Sequence, residues 1–90
     1  MQLSPAQKKY LHDLTLNSVR MISPEQLTAI EKLGSEEKLD RVDAGKLIDN
    51  LSFFVALKDI HPDKWKSEET YKYSTGLKEI NNVLAKYGYT

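Results

Sequence analysis

Ninety residues, 40% of them hydrophobic and 29% charged, fit one globular domain with a modest core and leave no room for a second. Thirteen basic and thirteen acidic side chains cancel, so no bulk field draws the chain to an anionic membrane, and strong direct nucleic-acid binding is not expected. The absence of cysteine excludes disulfides and thiolate chemistry, no apolar run approaches the roughly 20 residues of a membrane span, and the N-terminus lacks the pattern of a signal peptide; the expectation is a cytoplasmic protein.

Two early stretches, LSPAQKKYLHDL (3–14) and ISPEQLTAIEKL (22–33), share a frame: apolar, Ser, Pro, any residue, Gln, then apolar residues at helical spacing. In each copy the serine (Ser4, Ser23) suits a helix cap, the proline (Pro5, Pro24) the first helical position, and the glutamine (Gln7, Gln26) a capping box, with no role beyond the cap. The spacing predicts helices over 5–16 and 24–33. The first puts Tyr10, Leu11 and Leu14 on one face and frays over 17–21; the second gathers Leu27, Ile30 and Leu33 and stops at Gly34.

Residues 35–41 read as a charged, exposed connection. A third helix follows over 43–60, capped at Asp43, with Leu47, Ile48, Leu51, Phe54 and Val55 at helical spacing and Phe53 and Leu57 widening the stripe. Pro62 disfavours the helical region for His61, which closes that helix near Ile60 and leaves Asp59-Ile60-His61-Pro62-Asp63-Lys64-Trp65 as a loop. Ser67 or Glu68 opens a fourth helix over 68–87, in which Tyr73, Leu77, Ile80, Leu84 and Tyr87 repeat at spacings of four and three and Gly88 closes the run. Gly76 costs this helix roughly 1 kcal/mol relative to alanine unless it admits a neighbouring helix. The fold expected is all-α: a small helical bundle built on a long antiparallel pair, with residues 1–21 as an added N-terminal helix on a 22–90 core, and Leu47, Leu51, Phe54 and Leu57 facing Leu77, Ile80, Leu84 and Tyr87.

Two long antiparallel helices joined by a loop carrying His61-Pro62-Asp63 resemble a J-domain, the module of DnaJ-type co-chaperones, over about residues 26–88; Leu77-Lys78-Glu79-Ile80-Asn81 is the nearest local match after the loop. The resemblance implies a DnaK-type ATPase chaperone as partner. It makes His61, Pro62 and Asp63 the contact loop, with Lys46, Lys58 and Lys64 steering the encounter and Trp65 as a further contact. The helix face that is usually basic in that family carries Lys46 and Lys58 here, beside Asp49, Asn50 and Asp59. Residues 22–51 also look like a small helical module of phage annealing proteins and GemA-type regulators, through Ser23, Gln26, Ile30, Leu33, Ala44, Ile48 and Leu51. That similarity implies a partner in DNA replication or recombination.

Structural explanations compete at each of these positions. His61 serves equally as a helix C-cap, Asp63 as an Asx-type turn, and Trp65 as a satellite of the core across the base of the loop. The tyrosines at 71, 73, 87 and 89 suggest a stacking platform, but helical spacing puts Tyr73 and Tyr87 in the core or its rim. His12 and His61 are the only imidazoles, no cysteine accompanies them, and neither a nucleophile motif nor a phosphate-cradling glycine loop is present. No catalytic residue, metal or cofactor is therefore expected, and a binding module is the default.

Overall fold

A computed structural model describes residues 3–36 and 38–89, and these form four helices and no strand. They are α1 (Pro5–Asn17), α2 (Pro24–Ser35), α3 (Arg41–Leu57) and α4 (Ser67–Lys86), with a short 3-10 turn (Pro62–Lys64) between the last two. None of these helices is long and apolar enough to cross a membrane.

Both copies of the serine repeat start a helix by the same chemistry. The Ser4 hydroxyl accepts from the Gln7 N–H at 3.2 Å while the Gln7 side chain accepts from the Ser4 N–H at 3.0 Å; Ser23 and Gln26 repeat this at 3.1 and 2.9 Å. Two otherwise orphaned backbone donors are thus satisfied at each helix start. Gln26 does more than cap, since its Nε2 also donates to Asn81 of α4 at 2.8 Å.

The helix ends depart from expectation. Residues after α1 make an ordered turn: Ser18 is fully buried, its hydroxyl donates to the Leu14 carbonyl at 2.7 Å, and its own carbonyl accepts from the N–H groups of Met21 and Ile22. Gly34 does not stop α2; the helix runs through it to Ser35, and among the described residues only Gly88, at φ +84°, is left-handed. Helix α3 begins two residues before Asp43, which sits in its first turn rather than at the cap. It stops at Leu57, and the turn to Ile60 is closed by the Ile60 N–H on the Leu57 carbonyl. Ser67 is the first residue of α4, and the Glu69 carboxylate accepts from the Lys66 N–H at 2.8 Å to start it.

The pair α3 and α4 is antiparallel, since Asp43 meets Tyr87, Asn50 meets Glu79 and Phe54 meets Tyr73. Leu47, Leu51, Phe54 and Leu57 share one core with Ile80, Val83 and Leu84, while Leu77 and Tyr87 are half-buried against it. At Gly76 the side chains of α3 press directly on the backbone of α4. A Cβ there would stand 2.8 Å from Asn50 Oδ1 and 3.0 Å from the Phe54 ring. Gly76→Ala is therefore expected to destabilise by about 1–2 kcal/mol, read as a lowered urea midpoint, because overpacking outweighs the gain in helix propensity.

Helix α1 is part of the core and no mere addition to its flank. Leu11, Leu14, Thr15 and Ser18 are buried where α1 packs on α2 and α3, whereas Tyr10 is 52% exposed. The buried stripe is wider than its apolar letters because Thr15 and Ser18 return their hydroxyl protons to the Leu11 and Leu14 carbonyls, both at 2.7 Å, and then pack as small apolar groups. The connection before α3 is likewise not simply exposed. Leu39 is 1% exposed, the single apolar side chain of a charged run dropped into the core, and the Asp40 N–H donates to the Tyr87 hydroxyl at 3.1 Å.

Candidate functional site

The loop between α3 and α4 stands at the tip of the helix pair. Pro62, with its fixed φ and no N–H to satisfy, opens the 3-10 turn, which is held by the Lys64 N–H on the His61 carbonyl at 2.8 Å and the Trp65 N–H on the Pro62 carbonyl at 3.1 Å. His61 caps this turn rather than the end of α3: its Nδ1 accepts from the Asp63 N–H at 3.2 Å. The same nitrogen lies 3.4 Å from an Asp63 carboxylate oxygen. These contacts are alternatives, since Nδ1 accepts from the backbone only while it carries a lone pair and faces the carboxylate as a donor only once protonated.

Trp65 fastens the loop to the body of the protein. Its Nε1–H donates to the Ile60 carbonyl at 3.0 Å, its ring lies edge-on to Tyr73 at 5.3 Å, and Tyr73 lies edge-on to Phe54 at 4.9 Å. The loop is therefore anchored at its base and open at its crown, where the His61 and Asp63 side chains are 69% and 90% exposed. Lys64 is exposed beside them, and the Lys58 ammonium reaches the Asn17 side chain at 3.5 Å, which brings the end of α1 to the same tip. Lys46 is not part of this group. It lies twelve residues before Lys58, about 18 Å along the axis and roughly a third of a turn around it, close enough to Asp43 to act on its charge.

No protein-family profile, curated protein or solved structure matches this chain.

Two further arrangements lay outside the sequence reading. Asp43 is 3% exposed, and one of its carboxylate oxygens accepts from Lys86 at 2.8 Å and from the Tyr87 hydroxyl at 2.6 Å. The Lys86 bond, aided by Tyr87, holds the Asp43 carboxyl below the usual carboxylate range against the opposing cost of burial, and the same bond raises Lys86. His12 lies between α1 and α2, with Nδ1 at 2.7 and 3.0 Å from the two oxygens of Glu31. Reading α1 and α2 as an antiparallel hairpin would have paired these two.

The tyrosines make no stacking platform. Tyr73 donates its hydroxyl to the Met21 carbonyl at 2.6 Å, Tyr87 to Asp43 and Tyr89 to Glu36, while Tyr71 projects from α4, 71% exposed. Among the described residues no three His, Cys, Asp or Glu side chains group as metal ligands would.

Proposed function

We propose that this chain is a non-enzymatic binding module, a J-domain-like co-chaperone or decoy that engages a DnaK-type ATPase chaperone through His61, Pro62 and Asp63. The observation that carries the reading is the Asp63 carboxylate, 90% exposed on a turn fixed at its base by Trp65 and preset by Pro62. An exposed carboxylate on an anchored turn suits a charge-assisted pair with an arginine of the partner, which is strong and directional enough to bias a two-state ATPase. His61 orders the Asp63 backbone, and Lys58 and Lys64 at the tip make the encounter salt-sensitive, with Lys46 contributing only from a distance.

The deciding measurement is single-turnover ATP hydrolysis by such a chaperone with and without this protein, together with direct binding to separate stimulation from a decoy. His61→Gln and Asp63→Asn are expected to remove binding and any stimulation while shifting the melting temperature little, since neither side chain is buried. A large loss of stability in His61→Gln would make the imidazole a fold element. No binding by the wild type would end the reading.

A second reading has one observation of its own. Ser23, Gln26, Ile30, Leu33, Ala44, Ile48 and Leu51 lie at the start of α2, along it and on α3, two helices that both pack on α1, and Ile30, Leu33, Ala44 and Leu51 are buried in the shared core. This favours a helical accessory protein that binds a replication or recombination partner. Filter binding to single- and double-stranded DNA at low salt is expected to show weak affinity or none, since zero net charge argues against strong direct binding; tight, steeply salt-dependent binding would put this reading first, with DNA itself as the ligand.

A further inference from the structure

We propose that His61 is a proton-sensitive gate on Asp63. Neutral, it caps the turn and leaves the Asp63 carboxylate free for a cationic partner; protonated, it gives up the cap and occupies that carboxylate itself. The inference rests on the docking reading above and adds its regulation.

One nitrogen serves both states. His61 Nδ1 lies 3.2 Å from the Asp63 backbone nitrogen and 3.4 Å from an Asp63 carboxylate oxygen. The backbone N–H can only donate, so the neutral imidazole keeps its lone pair on Nδ1 and its proton on Nε2. This fixes the tautomer. The same lone pair repels the carboxylate oxygen beside it, and the Asp63 side chain, 90% exposed, has room to turn outward. An approaching guanidinium then meets an unshared carboxylate on a capped turn.

Protonation reverses both contacts. With a proton on Nδ1, two N–H groups face each other and the cap is lost. The nearest acceptor for the new proton is the Asp63 carboxylate, and a small rotation of either side chain closes a charge-assisted pair within the chain. A cationic partner must now displace a like charge. The turn itself persists, because the bonds from the Lys64 N–H, the Trp65 N–H and the Trp65 Nε1–H do not involve the imidazole. The gate therefore acts on presentation and leaves the fold alone.

Other charges at the tip do not take the place of Asp63. Lys58 and Asp59 end the α3 segment, Lys64 lies in the turn, Lys66 precedes α4, and Arg20 shares a cavity with Lys58 and Asp59. Glu68 is paired with Lys72 and Glu69 holds the Lys66 N–H. Among the described residues the imidazole bonds to Asp63 alone. The charge change that drives the gate is the one imidazoles undergo between about pH 5 and 8. Both side chains stand in water, which holds the effect to a few-fold.

The gate is read first in the free, ¹⁵N-labelled full chain. Between pH 8 and pH 5 the Asp63 amide proton should move upfield and exchange faster in step with the His61 ring signals. In His61→Asn, whose side-chain oxygen can cap the same N–H without titrating, that amide should stay nearly constant. Binding to the ATPase chaperone of the docking reading is then measured at pH 7.5 and 5.5, with the chaperone's nucleotide affinity at both values as the control for its own titration. Affinity should fall about two- to fivefold in acid, the range that an exposed ion pair allows. An Asp63 amide that ignores the His61 titration, or that moves equally in His61→Asn, would overturn the gate even if docking is real; so would equal or tighter binding at pH 5.5. Absence of binding at both values would end the docking reading and the gate's role with it, whatever the amide shows.

Discussion

Replacing Phe54 by alanine is expected to lower stability by about 3–5 kcal/mol. A chain of this length holds in total about 5–13 kcal/mol at ordinary stability per residue, so the variant should be largely unfolded at modest urea concentrations. Phe54 is the largest of the fully buried side chains. Its ring receives the edge of Tyr73 at 4.9 Å and lies where Gly76 lets α4 approach, so its removal opens a cavity against two rigid neighbours with little freedom to collapse. The neighbouring Phe53, only half-buried, should cost less than about 2 kcal/mol in the same change. Urea denaturation followed by circular dichroism compares the two. A Phe54→Ala loss below about 1 kcal/mol would contradict the packing of α3 on α4.

Asp43→Ala should cost about 2 kcal/mol, and the loss should depend on pH. Most of it comes from the Tyr87 hydroxyl, which loses the acceptor for its proton in a half-buried position; Lys86, 61% exposed, returns to water at little cost. The folded-state pKa of Asp43 lies below its unfolded value, so its contribution is fully present above the ordinary carboxylate pKa of about 3.9 and is lost as pH falls through the folded value. Wild type and variant should therefore draw closer in acid, where only the neutral carboxyl's weaker acceptance from Tyr87 remains. At the alkaline end the sign reverses. Tyr73 is raised by burial, Tyr87 by burial and its bond to Asp43, and Tyr89 by its bond to Glu36, so their contribution is present below about pH 10 and lost above it. Urea midpoints from pH 2.5 to 11 would trace both limbs. A difference between wild type and Asp43→Ala that is as large at pH 2.5 as at pH 7 would rule out the carboxylate as its source.

The parts of this fold that could be read from the sequence are those whose cause is local. Ser4 with Gln7 and Ser23 with Gln26 each satisfy their own helix start within four residues, so the repeat alone discloses them. Pro62 starts the 3-10 turn in the same way, although α3 stops earlier than its proline alone requires, at Leu57. Gly76 was legible as a choice between a cost and a close approach, and the packing of α4 on α3 decides for the latter. The misread residues are those whose role depends on a distant partner. Asp43 resembles a cap until Tyr87 and Lys86, more than forty residues on, close over it. Gly34 resembles a helix stop until Leu11 of α1 lies beside it. At the tip, the residues His61 to Trp65 are local and were visible together, but the placement of Lys46 away from them follows only from the length of α3.

The polar ties from α4 and the residues after it reach far back along the chain: Tyr73 to Met21, Asn81 to Gln26, Tyr87 to Asp43 and Tyr89 to Glu36, across 44 to 55 residues. During synthesis, α1 to α3 emerge before any of these partners exists, and the α3 stripe of Leu47, Leu51, Phe54 and Leu57 then lacks half its cover. The nascent chain must carry that seam until α4 appears, and contacts this distant in sequence are expected to form later than local ones. The hydrogen bond from Trp65 to Ile60 spans only five residues and can form early. The turn is thus shaped ahead of the docking step and aims α4 at its groove before the distant ties close.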